Sequence, residues 1–486
     1  MARSAPRLPL VAILGATGTG KSQLAVDLAS RFNGEIINGD AMQLYKGLPI
    51  ITNKIPLDER NGIPHHLLGC IGLDEETWTV SRFVKKALGA IEEIRSRGRL
   101  PILVGGTHYY TQSLLFKDGL ADEDTEPGRE SEGATEAQEH FSILEEPTEI
   151  ILEKLRAVDP VMADRWHPNE RRKIQRSLEI WLKTGKRASQ VYEEQQKRKQ
   201  VGIALGDQAE GVEISEDGLR GTQMRFPTLM LWVHSSTETL YARLDARVGK
   251  MFQNGLLSEV NELDGYLQAQ KAAANTVDRT RGIWVSIGYK EFEAYQAALR
   301  TGNSTEEELQ KLRTEATEKT RAATRQYAKR QVKWIRTKLL HALTAAQASD
   351  NLFLLDGSDL AAWKENVEHP AFELTSLFLD GAKLPEPHSI SEAAAEMLVP
   401  KTDYDMSQRR DLWKRRTCEV CNMTAVTESD WSQHIKSRSH RRAVSSKKKR
   451  DGLPVNLPRA KTCQQDDSDQ LEGSMESFEH LTTEVK

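Results

Sequence analysis

The stretch Leu8-Pro9-Leu10-Val11-Ala12-Ile13-Leu14-Gly15-Ala16-Thr17-Gly18-Thr19-Gly20-Lys21-Ser22 decides the fold. Leu8 to Leu14 is a short apolar run, which predicts a buried parallel strand. Gly15 to Ser22 matches the pattern GxxxxGK[ST], and a helix is expected from about Lys21. In that setting the glycines let backbone N–H groups turn inward around phosphate oxygens, and the helix that follows adds its positive end. Lys21 supplies a point charge for the outer phosphate, and the Ser22 hydroxyl suits Mg²⁺. These eight residues are expected to bind a pyrophosphate. The loop alone does not choose between ATP and another pyrophosphate.

Further apolar runs extend the pattern: Glu35 to Asn38, Leu100 to Val104, Phe226 to His234 and Asn351 to Leu355. With helical stretches between them, they predict an α/β layout with a mostly parallel sheet. Ligands of such sheets sit at the carboxyl ends of strands. Asp40, Thr107 and the glycine loop all fall there. A nucleotide hydrolase would usually carry a second strand ending in an acidic Mg²⁺ ligand. Here the Leu100–Val104 run ends in Gly105-Gly106-Thr107, which weakens that reading.

The full 486 residues fit a chain of several parts, at roughly 100–200 residues per domain. A hydrophobic content of 38% is low for one compact globule. The net charge of −4 means that affinity for nucleic acid must come from local basic patches. The mean hydropathy of −0.56 and the lack of a long apolar run argue against a membrane span. Met1 to Pro9 is too short and Pro-rich for a targeting peptide. Four cysteines, Cys70, Cys418, Cys421 and Cys463, are too few for a disulfide scaffold and fit a reduced compartment.

Gly119 to Pro147 is acidic with Gly and Pro, and Gly202 to Gly221 is polar, so both are expected to be loops. Asp159 to Lys199 predicts basic helices, with Ile174, Leu178, Trp181 and Leu182 as an apolar stripe and Arg171, Arg172, Lys173 and Arg176 mostly off it. Thr314 to Lys338 predicts a long helix with one basic face: Arg321, Arg325, Lys329, Arg330, Lys333 and Arg336. Such faces bind phosphates. Cys418-x2-Cys421-x12-His434-x5-His440 fits a Cys₂His₂ zinc site, and so small a module needs its metal to fold. The adjacent pair His65-His66 suits structural or hydrogen-bonding roles better than shared metal ligation.

Taken in order, Asn38 to Lys54 (NGDAMQLYKGLPIITNK), Gly62 to Leu67, Gly105 to Tyr110, Arg325 to Gln331 and Trp334 to Arg336, with the phosphate loop, resemble the tRNA dimethylallyltransferases (tRNA isopentenyltransferases) over residues 8 to 340. The C-terminal finger resembles the eukaryotic branch and U1-like or matrin-type fingers. The resemblance implies transfer of a dimethylallyl group from dimethylallyl diphosphate to N6 of adenosine 37, next to the tRNA anticodon. It implies a P-loop nucleotide-kinase-like α/β core with a helical insertion that grips the anticodon stem-loop.

The organisation then expected is a catalytic core over 8–118 and 226–384, a helical tRNA-binding insertion with loops over 119–225, a linker over 385–411, a finger over 412–442 and a disordered tail over 443–486. Asp40 is the candidate base for the N6 proton, against a plain helix cap. Thr107 is placed between diphosphate and adenosine. Arg247, in Arg243-Leu244-Asp245-Ala246-Arg247, is placed on the pyrophosphate, sharing a helix face with Arg243. Asp40, Ala41, Met42, Gln43, Thr107, Arg172, Arg176, Arg325, Lys329 and Arg330 are the expected tRNA contacts. Ser286 to Lys290 resembles a substrate-side packing motif. Mg²⁺ is expected in catalysis and Zn²⁺ in the finger, in a monomer found in cytoplasm and mitochondria, with a nuclear share left open by Lys447 to Arg450. The competing readings are a P-loop small-molecule kinase or ATPase and a non-enzymatic zinc-finger RNA-binding protein.

Overall fold

The computed structural model describes residues 5–117, 141–194, 223–400 and 413–450. Cys463 and most of the two expected loops lie outside these residues. So do 401–411 of the expected linker and the tail beyond 450.

Six parallel strands build the first compact unit, which takes in 5–117 and 223–400. They are β1 (Leu10–Leu14), β2 (Gly34–Asn38), β3 (His65–His66), β4 (Leu100–Val104), β5 (Thr228–His234) and β6 (Leu352–Asp356), in spatial order β3-β2-β4-β1-β5-β6. Each expected strand is present; β1 and β5 start two residues later than expected, past Pro9 and Pro227, and the others agree within one residue at each end. The continuous apolar runs follow from burial on both faces. Leu10, Ala12, Leu14, Leu103, Met230, Trp232 and Leu354 enter one core. Val11, Ile13, Ile102, Val104, Leu229, Leu231 and Leu355 enter the other.

Strand β3 was not legible as a strand, because two residues carry no alternation. It pairs with Ile36 and Ile37 of β2. Its histidines diverge as expected: His65 Nδ1 lies 2.8 Å from Ile63 O, and His66 Nε2 lies 2.5 Å from Glu35 Oε2. The 385–397 part of the expected linker is ordered against the core. Pro387–Ser389 forms a 3₁₀ turn and Glu392–Met397 a helix, with Ala394 and Leu398 buried.

The long basic helix begins earlier than expected, at Glu306, under a capping box in which Thr305 and Glu308 exchange hydrogen bonds. It runs to Trp334 and passes into a π turn over Ile335–Leu339.

The second unit takes in 141–194 and 413–450. Helices Thr148–Val158, Pro160–Arg165 and Arg171–Thr184 pack around Ile151, Leu155, Ile174 and Leu178. Strands β7 (Trp413–Thr417) and β8 (Thr424–Thr427) pair antiparallel ahead of helix Glu428–Lys436. The finger is not a detached module. Arg415 Nη1 donates to Ala163 O at 3.1 Å, joining β7 to the helix Pro160–Arg165. The tail is also helical at its start, since Arg438–Arg450 forms one helix.

Candidate active site

Strands β4 and β5 flank β1 on opposite sides, and the chain order reverses there. That is where a crevice opens at the carboxyl ends of a doubly wound sheet. The phosphate loop leaves β1 at this point. Gly20 caps the helix Lys21–Arg31 with φ +91°, and a Cβ there would run into the Trp363 indole. Only glycine serves at such a position.

Lys21 is 9% exposed, and its Nζ donates to Ala16 O. Burial lowers its pKa to about 8, with Asp40 opposing the shift and Arg247 adding to it. Arg247 comes from the helix Thr237–Gln253, and its Nη1 donates to Thr17 Oγ1 at 2.8 Å. Burial lowers its pKa to about 10, leaving it charged at neutral pH. Arg243, expected beside it, turns away and holds the loop after β6 through Gly357 O and Ser358 O, each at 2.8 Å.

Asp40 follows β2. Its backbone is fixed by Asn38, whose Oδ1 accepts from Asp40 N and whose Nδ2 donates to Asp40 O, both at 3.0 Å. Its two carboxylate oxygens face different neighbours. Oδ1 accepts from Met42 N at 3.0 Å, at the start of the short 3₁₀ turn Met42–Leu44, whose N-cap position is held by Ala41 without a side-chain bond. Oδ2 stands against Gly106, where a Cβ would lie 2.8 Å from it. Burial raises the carboxyl above the ordinary range, against the pull of Met42 N–H, Lys21 and Arg247. Thr107 Oγ1 accepts from Ala41 N at 3.0 Å, so the β4 loop and the Asp40 loop are tied together.

The structure thus gathers Lys21, Asp40, Thr107 and Arg247 at one end of the sheet. Three further residues stand beside them. Tyr327 OH donates to Gly106 O at 3.3 Å, and Gln331 Nε2 to the same oxygen at 2.7 Å. Burial pushes the Tyr327 phenol far up. His108 is 5% exposed with neither ring nitrogen partnered among the described residues, and burial beside Lys21 holds it neutral, near a pKa of about 3. The signal for Tyr327 and Gln331 was their i,i+4 spacing inside a motif dominated by its basic residues.

Other expected contacts are engaged elsewhere. Gln43 Nε2 donates to Asn53 O at 3.1 Å. Arg325 Nη1 forms a two-oxygen pair with Asp245 at 2.7 and 2.6 Å. Arg330 is exposed and Lys329 half-buried on the same helix. In the second unit Arg171 binds the carbonyls of Leu144, Glu145 and Glu146. Arg176 pairs with Glu179 at 3.0 Å, and Arg172 is exposed. Ser286 to Lys290 packs against apolar and aromatic neighbours. Gly288 sits against Ile51, and Tyr289 packs edge-on to Trp284.

The finger brings Cys418, Cys421, His434 and His440 together, with one donor atom of each within 4.8 Å of the others. Cys421 Sγ lies 3.4 Å from Cys418 Sγ, 3.2 Å from His434 Nε2 and 3.4 Å from His440 Nδ1. The edges of a tetrahedral zinc site with S and N ligands run from roughly 3.3 to 3.8 Å, and these separations lie within a few tenths of an ångström of that, so two thiols and two imidazoles are gathered as Zn²⁺ needs them. Among the described residues, no helix is long and apolar enough to cross a membrane.

Comparison with known proteins agrees with this geometry. Residues 43–338 match the model of the IPP transferase family, and 416–440 that of a zinc-finger of C2H2 type. The tRNA dimethylallyltransferase of Saccharomyces cerevisiae is 36% identical over 439 residues, covering 89% of this chain and 91% of that protein. That of Homo sapiens is 33% identical over 451 residues, 92% and 88%. A crystal structure of a eukaryotic dimethylallyltransferase acting on tRNA matches with a TM-score of 0.66 and 33% identity, covering 91% of this chain and 98% of that one. With a family model spanning more than half of it and relatives matched nearly end to end, this chain belongs to the IPP transferase family, the tRNA dimethylallyltransferases.

Proposed function

We propose that this chain transfers the dimethylallyl group of dimethylallyl diphosphate to N6 of adenosine 37 in tRNA, releasing pyrophosphate. The observation that carries the reading is the gathering of two opposite charges at the carboxyl ends of the strands, close enough to act on one another. A carboxylate, Asp40, is one, and a cationic phosphate loop, with Lys21 and Arg247, is the other.

The chemistry needs both sides. An exocyclic adenine amine is a poor nucleophile, because its lone pair is delocalised into the ring. As it attacks C1, the N6 proton passes to Asp40 Oδ2, whose raised affinity suits a base. The C1–O bond breaks, and its electron pair leaves with pyrophosphate. Lys21, Arg247 and the loop N–H groups stabilise that charge. Thr107 holds the Asp40 loop in place. Mg²⁺, when bound, would add charge at the diphosphate, and the exposed Ser22 hydroxyl is the side chain placed to hold it. The adenine must leave its stack to reach the crevice. The exposed Arg172 and Arg330 suit phosphate contacts along the stem-loop.

Incubation with labelled dimethylallyl diphosphate, Mg²⁺ and tRNA should label one adenosine beside the anticodon. ATP turnover without tRNA and without prenyl transfer would overturn the reading.

A further inference from the structure

The residue joining the two sides of the crevice carries no charge. Gln331 is 3% exposed on the helix Glu306–Trp334. Its Oε1 accepts from Thr17 N at 2.7 Å, and its Nε2 donates to Gly106 O at 2.7 Å. Thr17 belongs to the leaving-group side, since its Oγ1 accepts from Arg247. Gly106 belongs to the acceptor side. It precedes Thr107, whose Oγ1 holds Ala41 N, and a Cβ on it would lie 2.7 Å from Gln331 Nε2 and 2.8 Å from Asp40 Oδ2. One carboxamide, its acceptor facing one loop and its donor the other, therefore spans the gap across which the new bond forms.

We propose that Gln331 is a positioning residue that sets the gap between leaving group and base, and so decides whether the departing prenyl carbon meets the N6 amine or water. The inference rests on the dimethylallyl-transfer reading above. Displacement requires the reacting atoms about 3–3.5 Å apart and aligned. Here the two substrates are held by different loops, so their separation is only as good as the link between those loops. In transfer, the C1–N6 bond forms as C1–O breaks, pyrophosphate takes the electron pair and Asp40 takes the proton. With the link lost, the gap widens and water reaches C1. The products are then dimethylallyl alcohol and pyrophosphate, with the proton released to solvent. Tyr327 alone still holds Gly106 O, at 3.3 Å, and does not reach Thr17 N.

The test uses the full chain as wild type, Gln331→Met, Gln331→Ala and Gln331→Glu. Methionine keeps the length and loses both bonds. Glutamate keeps the acceptor for Thr17 N and loses the donor to Gly106 O. The readouts are kcat, KM for each substrate, and the ratio of free prenyl alcohol to prenylated tRNA. That ratio does not depend on how much protein folds. All three variants should lower kcat by about 10²-fold, with each KM held within about threefold, and raise the alcohol fraction by about tenfold. An unchanged kcat, or a lower kcat with an unchanged partition, would overturn the positioning role. Failure of the wild type to prenylate any tRNA would overturn the functional reading itself, and the inference with it.

Discussion

Arg247 Nη1 donates to Thr17 Oγ1 at 2.8 Å, so a guanidinium 230 residues further along the chain is seated on the phosphate loop. Its Nε is buried and unpartnered among the described residues, which leaves a donor for a diphosphate oxygen. Arg247→Ala should therefore lower kcat/KM for dimethylallyl diphosphate by about 10²–10³-fold, the cost of one preorganised donor to a developing charge. Arg247→Lys should recover part of it, because the charge returns without the planar fork. Steady-state kinetics at saturating tRNA check this. A defect confined to the KM for tRNA would speak against it.

Asp40→Asn separates the proposed base from the hydrogen bond to Met42 N. Asparagine can still accept from Met42 N, so the turn Met42–Leu44 should stand. It cannot take the N6 proton, so the transfer rate should fall by about 10²–10⁴-fold. Filter binding should show tRNA affinity within about threefold of wild type, and circular dichroism an unchanged fold. Wild-type turnover in Asp40→Asn would remove Asp40 from the chemistry.

Lys21 gives a pH signature. Burial lowers its pKa to about 8, so its charge is present below that value and lost above it. Bound diphosphate favours the charged form. Referred to one ionisation state of the ligand, the affinity of the free enzyme for pyrophosphate should therefore be flat on the acid side and fall about tenfold per pH unit above the pKa. Calorimetry from pH 6 to about 10 measures it. In Lys21→Met the affinity should be lower throughout and that break absent.

These tests divide along what the sequence could carry. The β1 run and the glycine loop stated the sheet and the phosphate site, because burial on both faces leaves a continuous apolar run and positive φ demands glycine. Asp40, Thr107 and Arg247 were legible as motif members, and they meet in space. The pairing of Gln331 with Thr17 was not legible, because a contact across 314 residues leaves no local period. The surroundings of individual arginines were not legible for a related reason. Arg171, Arg243 and Arg325 look alike in sequence, but one binds carbonyls of its own unit, one holds the β6 loop and one pairs with Asp245. Composition counts charges but does not say which are already spent.

Glu35 ties β2, β3 and β4 together at their amino-terminal ends and makes stability acid-sensitive. It is 1% exposed, and burial alone would raise its pKa. Hydrogen bonds from Arg97 and His66, with Arg99 at 3.0 Å, reverse the sign and lower it to about 2. A depressed carboxyl stabilises the fold above its unfolded value and loses that contribution as pH falls toward the folded one. The window thus runs from the ordinary glutamate value of 4.5 down to about 2. Because the arginines are more than a third exposed, the contribution at neutral pH is about 1–3 kcal/mol rather than the full shift. Urea midpoints of wild type and Glu35→Gln should differ at pH 7, draw together as pH falls below 4.5, and converge only near about pH 2. Parallel curves at every pH would rule the carboxylate out as the source.

The finger offers the cleanest separation of binding from chemistry. Its four ligands lie together, yet only Cys418 and His434 are well buried, and the pair β7–β8 encloses little apolar surface. A module this small holds its shape through its metal. Cys421→Ser, or zinc removal by a chelator, should unfold 413–450 and release Arg415 from Ala163 O, exposing the helix Pro160–Arg165 to proteolysis. None of the residues gathered at Asp40 and Lys21 belongs to this unit. The kcat at saturating tRNA should therefore stay within about twofold; on the proposal that the finger adds phosphate contacts to tRNA, KM for tRNA should rise by about tenfold and its salt dependence become shallower. A fall in kcat with KM unchanged would mean that the finger serves the reaction rather than the grip on tRNA.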